Sequence, residues 1–84
     1  MSNMYDKDNA KSRLAHHVRR VRKMLGMTQA VLAESAGVEQ SMISSIESGS
    51  VVPNYVDVAN IAEALNTNTE SLLKPVPKGQ LAEV

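Results

Sequence analysis

Apolar residues recur along the chain in short blocks of helical period, separated by Gly, Asn and Pro. Leu14, Val18, Val21 and Leu25 follow a four-three-four spacing that lays one stripe along a helix over residues 11–25, widened by Ala15. Gly26 ends that helix, and Met27 is expected to enter the core. Val31, Leu32 and Ala36 are spaced for one buried face of a second helix. Thr28 is its natural N-cap, because the hydroxyl accepts from a free amide one turn later. Gly37 supplies the left-handed backbone that stops this helix, and Val38 is expected to plug the angle that follows. Glu39 takes the cap position of a third helix, in which Ile43 and Ile46 turn inward with Glu47. Gln40, Ser41, Ser44 and Ser45 remain on its outer face, and Gly49 stops it. Asn54 caps a fourth helix up to Leu65, with Tyr55 opening a buried stripe of Val58, Ile61, Ala62 and Leu65. Asn66 ends it. Thr67 or Asn68 opens a short fifth helix, closed by Leu72 and Leu73 before Pro75. Adjacent residues cannot share one face, so one leucine is expected in the core and the other at a second subunit.

This pattern predicts an all-α fold of five helices in a single domain over residues 11–75. Residues 1–10 are polar without an apolar period and are expected to form a flexible N-terminal arm. Residues 76–84, with Pro77 and Gly79, are expected to form a flexible C-terminal tail. The 84 residues suffice for one domain, not two. Phe and Trp are absent and the tyrosines are Tyr5 and Tyr55, so the core must be aliphatic. So small a core gives modest stability, to which dimerisation is expected to add. Without Cys there is no disulfide framework and no thiolate metal site. No apolar run approaches a membrane span and no signal-peptide pattern opens the chain, so a soluble cytoplasmic protein is expected. No nucleophile–base set, phosphate loop or metal-ligand cluster points to an enzyme or a cofactor. His16 and His17 are adjacent, diverge by about 100° on a helix, and cannot chelate one ion together. They are expected at the surface or facing DNA.

Formal net charge is zero, yet its distribution is uneven. Lys11, Arg13, Arg19, Arg20, Arg22 and Lys23 crowd one stretch. Between Met24 and Leu73 there is no Lys or Arg, while Glu34, Glu39, Glu47, Asp57, Glu63 and Glu70 lie there. The asymmetry predicts a basic face and an acidic remainder.

Two helices joined by a tight Gly turn describe a helix-turn-helix. The stretch from Thr28 to Gly49 resembles the lambda-repressor-like, Cro/C1-type DNA-binding domains of the XRE family. Thr28-Gln29, Leu32-Ala33, Gly37-Val38, Ile43-Ser44 and Ile46-Glu47-Ser48-Gly49 match the family pattern in place. The resemblance implies a compact five-helix lambda-repressor-like domain. It implies a sequence-specific transcriptional regulator, a homodimer on an inverted repeat in double-stranded DNA. Phage repressors, restriction-modification controllers and antitoxins are the small members of this type. Gln40, Ser41, Ser44 and Ser45 become the base-reading set, with Gln40 suited to adenine. Arg19, Arg20, Arg22, Lys23, Thr28, Gln29, Met42 and Ser48 become contacts to the DNA backbone, with Gln29 also bracing Gln40. Arg22 and Glu47 are expected to form a partly buried ion pair, and Val51, Val52, Leu72 and Leu73 to supply the subunit contact. The third helix lacks Arg and Lys, so the usual guanine contact is missing and some reading of DNA shape is expected. A different class of function is a protein-interaction module that keeps the fold but recruits a protein partner. The acidic second half and the serine-rich helix speak for it.

Overall fold

The computed structural model describes residues 7–76. Most of the expected arm, with Tyr5, and residues 77–84 of the expected tail lie outside the described residues. The elements run α1 (Lys7–Met24), α2 (Gln29–Ala36), α3 (Gln40–Glu47), α4 (Tyr55–Ala64) and α5 (Thr69–Leu72). There is no strand among the described residues. Helix α1 begins at Lys7 rather than Lys11 and so takes in the last residues assigned to the arm. No Gly or Pro interrupts the chain between Lys7 and Leu25, and nothing local halts a helix before the caps of its neighbour do.

The stops share one hydrogen-bond pattern. After α2, Gly37 N–H donates to the Glu34 carbonyl at 3.3 Å and Val38 N–H to the Ala33 carbonyl at 3.0 Å. This is the paired Schellman closure, which needs a left-handed residue; Gly37 has φ +70°. The same pair of bonds closes α1 around Gly26, α3 around Gly49 and α4 around Asn66, which adopts φ +59° without being glycine. The starts of α2, α4 and α5 are set by side chains. Thr28 Oγ1 accepts from Val31 N–H at 3.0 Å, and Asn54 and Asn68 each accept at 2.8 Å from Asp57 N–H and Ser71 N–H. Asn68, not Thr67, therefore opens α5.

Helix α2 packs on α3 and α4, α1 on α3 and α5, and α4 on α5. The shared core consists of Leu14, Val18, Leu32, Ala33, Ala36, Ile43, Ile46, Val58, Ile61, Ala62, Leu65 and Leu72. Val21, Met27 and Val38 pack against it half-buried, as expected. Several positions differ from the sequence reading. Val31 is exposed, because the inward face of α2 is made by Leu32, Ala33 and Ala36; at about 100° per residue Val31 lies roughly 150° from its middle. Leu25 is exposed as the end of α1 overruns the core, and Tyr55 is 73% exposed because α4 begins a turn before it meets its neighbours. Leu72 is the leucine that enters the core, 1% exposed, which removes it from the surface available to a second subunit; Leu73 is half-buried.

The largest departure is His16, 5% exposed where a surface residue was expected. Helix α1 is packed on a second flank, along which the chain leaving α5 runs. Arg13 Nη1 donates to the Leu73 carbonyl at 3.2 Å, and His17 Nε2 donates to the Lys74 carbonyl at 2.9 Å. The His16 and His17 rings meet edge to face, with centroids 5.1 Å apart. Desolvation is the main cause holding His17 below its ordinary pKa. The bond to Lys74 opposes this, while the charges of His16, Arg20 and Lys74 reinforce it.

Beyond its chain neighbours no atom lies within 4 Å of a Cβ built on Gly37, so Gly37→Ala reports backbone strain alone. It is expected to destabilise by about 1–2 kcal/mol in thermal melting, and Gly37→Asn by less. For His17 the fold favours the neutral ring, so its contribution is complete above pH 6.5, the ordinary value, and is lost as pH falls toward the lower folded value. The stability gap between the natural chain and His17→Gln, followed by urea unfolding from pH 8 to pH 5, should shrink below pH 6.5; a gap that widens on acidification contradicts it.

Candidate nucleic-acid interface

Helices α2 and α3 meet at the Gly37 turn, and the inward residues Ile43 and Ile46 fix which way α3 faces. Gln40, Ser41 and Ser44 consequently lie exposed on its outer side, with Ser45 half-buried beside them. Met42, expected at the DNA backbone, is half-buried and packs against the core.

The end of α3 is tied down by one carboxylate. Glu47 Oε2 accepts from Arg22 Nε at 2.6 Å and Oε1 accepts from Arg22 Nη2 at 3.0 Å, a two-pronged pair. The same Oε1 accepts from Gln29 Nε2 at 3.1 Å. Arg22 Nη1 also donates to the Met27 carbonyl at 2.7 Å. The side chains of Arg22 and Glu47 are 11% and 5% exposed. The hydrogen bond to Glu47 raises the pKa of Arg22 further above its already high value, against some desolvation. Gln29 thus braces Glu47 and not Gln40, which corrects the sequence reading; its position at the first residue of α2 places it against the end of α3.

Arg19, Arg22, Gln29, Ser44, Glu47 and Ser48 line an open cleft of about 270 Å³ at this node. Arg20 and Lys23 are exposed on the same helix as Arg19, and Arg20 Nη1 touches Met24 Sδ at 3.2 Å. Arg22 keeps two of its five N–H donors after its bonds to Glu47 and Met27. Thr28 accepts from Val31 but retains its own hydroxyl proton. The amides of Gln29 and Ala30 precede the first bonded amides of α2 and face outward from the helix start, where an anion is favoured. Ser48 is differently placed. Its hydroxyl donates to the Ser45 carbonyl at 2.9 Å and lies 2.7 Å from Ser50 Oγ. With its one proton engaged, Ser48 must be the acceptor from Ser50, so it cannot also donate to a phosphate in this arrangement.

Other residues escaped the sequence reading. The grip of Arg13 and His17 on the chain after α5 was signalled only by their spacing of one helical turn, and the Ser48–Ser50 hydroxyl pair by nothing. The exposed apolar run of Val51 and Val52 continues into Tyr55 and Val56. Among the described residues no group of His, Cys, Asp or Glu could hold a metal ion, and no helix is long and apolar enough to cross a membrane.

Residues 18–72 match the family model HTH_3, described as helix-turn-helix. The chain is 31% identical over 58 residues to the uncharacterized HTH-type transcriptional regulator YazB of Bacillus subtilis (strain 168), an alignment covering 69% of this chain and 84% of that one. It is similar in structure to a hypothetical transcription factor, NHTF, from Neisseria, with a TM-score of 0.77 and 26% identity, covering 93% of this chain and 86% of the other.

The carboxylate node yields its own test. Removing one partner of a nearly buried pair leaves the other charge uncompensated, so Glu47→Ala should destabilise by about 3–5 kcal/mol in urea unfolding. The double variant Arg22→Met, Glu47→Leu should recover much of that loss. Additive effects of the separate Arg22→Met and Glu47→Leu substitutions would show that the two side chains are energetically independent.

Proposed function

The chain belongs to the helix-turn-helix family and is a DNA-binding transcriptional regulator, not an enzyme; we propose that it acts as a homodimer on an inverted-repeat operator, reading bases with Gln40, Ser41, Ser44 and Ser45. The observation that carries this reading is the division of labour on α3. Its inward residues Ile43, Ile46 and Glu47 hold the helix in place, while the outer face is short, polar and has no packing duty. Gln40 at the first position suits adenine, whose N7 accepts and N6 donates. The serines are permissive readers beside it.

Arg19, Arg20 and Lys23 on the exposed side of α1, with Thr28, Gln29 and the first amides of α2, are the phosphate contacts in this reading. Arg22 contributes its remaining donors while bound to Glu47. Ser48 and Met42 drop to minor roles for the reasons given above. The exposed run Val51, Val52, Tyr55 and Val56, with Leu73 at the edge of the core, is the surface on which a second copy would sit. Family geometry puts the two recognition helices one turn of DNA apart, roughly 34 Å. The same apolar run is the observation that favours the second reading, recruitment of a different protein.

A reader that neutralises several phosphates must lose affinity steeply with salt, with a logarithmic slope near −0.9 per phosphate on duplex DNA. Titration of the preferred duplex between about 50 and 200 mM salt is expected to give a slope of at least −3. Gln40→Ala is expected to weaken binding to the selected site by roughly tenfold or more. Salt-independent binding, or indifference to Gln40→Ala, sinks the DNA-reading assignment and leaves the protein partner.

A further inference from the structure

The starts of the helices after α1 follow one rule with one exception. Thr28, Asn54 and Asn68 place a side-chain oxygen on a free amide at the start of α2, α4 and α5. Helix α3 has Glu39 in that position, with extended backbone (φ −73°, ψ +145°) and no side-chain cap bond. Only its carbonyl engages the helix, accepting from Met42 N–H at 3.0 Å and Ile43 N–H at 3.4 Å. Ser, Thr, Asn and Asp are the side chains that stabilise this site; glutamate is not among them. The chain therefore forgoes a capping bond at the one helix whose outer face is free for recognition. Departures from a local stabilising rule mark positions chosen for something other than stability.

The carboxylate is also uncommitted in other respects. Glu39 is exposed, and no Lys or Arg lies anywhere between Met24 and Leu73. Glu39 has no part in the Arg22–Glu47 salt bridge. The Schellman closure at Gly37 and Val38 fixes the backbone immediately before Glu39, and Gln40 follows directly. An acceptor-only group is thus held at the leading end of α3, beside the residue suited to adenine.

We infer that Glu39 is a specificity-determining residue that accepts a hydrogen bond from the N4 amino group of cytosine, on the base pair next to the one read by Gln40. Cytosine N4 and adenine N6 are the amino donors of the major groove; adenine adds the N7 acceptor, which repels a carboxylate, so cytosine is its better partner. The charge acts in both directions. It rewards a cytosine at one position, and it penalises guanine and thymine edges, which face the carboxylate with acceptors alone, and adenine less, whose N7 acceptor lies beside its amino group. This compensates for a recognition helix with no Arg or Lys: selectivity comes from rejecting wrong sequences more than from holding the right one tightly.

The inference rests on the DNA-reading assignment above. It is tested by selecting bound duplexes from random DNA with the full chain and with Glu39→Ser and Glu39→Ala. The natural chain should enrich a fixed cytosine adjoining the adenine that depends on Gln40. Both variants should lose that cytosine preference by roughly tenfold or more while binding unrelated duplexes more tightly. Glu39→Ser should also raise the melting temperature by a few degrees, since serine restores the cap. A merely structural residue would not move stability and specificity in opposite directions. Retention of the cytosine in the variants, or its absence from natural-chain sites that still carry the Gln40-dependent adenine, overturns the assignment of Glu39. An unchanged or lower melting temperature in Glu39→Ser overturns the forgone-cap argument. A natural chain that enriches no sequence overturns the base-reading assignment itself.

Discussion

One carboxylate orients the molecule. Glu47 receives Arg22 from α1 and Gln29 from α2 while sitting at the end of α3. Burial of aliphatic side chains drives the three helices together but has no directional preference. A two-pronged guanidinium pair does, because both prongs are satisfied only at one relative angle. Its net contribution to stability is modest once desolvation is counted. Its contribution to the angle between α1 and α3 has no substitute among the aliphatic contacts.

The shortness of the helices makes such a fixing point necessary. Helices α2 and α3 have eight residues each, well under the length at which a helix persists in water alone. Their geometry comes from their ends and from what they lie on. The ends are closed by the paired carbonyl bonds around Gly37 and Gly49, the inner faces by Leu32, Ala33, Ile43 and Ile46. The outer face of α3 takes no part in this. It is free to vary without disturbing the fold, which suits a surface that must read a particular partner.

The sequence made the punctuation of the fold legible. Thr28, Asn54 and the glycines announce helix ends through chemistry that acts within one turn, and the helices over 40–47 and 55–64 lie where that chemistry puts them. The apolar period located most of the core for the same reason. It failed where burial depends on what crosses a helix from far along the chain. Nothing near His16 announces that the segment after α5 will lie beside it. Val31 was misassigned because an eight-residue helix offers too few turns for a period to choose between Val31 and Ala33. The family pattern made the pairing of Arg22 with Glu47 legible, but not the third partner: Gln29 is 18 residues away and its amide had several plausible neighbours. Ser48 was placed by pattern at the DNA backbone, and its engagement by Ser45 and Ser50 is a matter of rotamers that no sequence spacing encodes.

Arg13 and His17 hold carbonyls that lie 60 and 57 residues further along the chain. Helix α5 is a single turn and owes its attachment to Leu72 and to those two side chains. Loosening the opening turns of α1 therefore releases the far end of the domain in the same event, and loosening α5 frees the opening turns of α1. Beginning and end are thus coupled in one local opening.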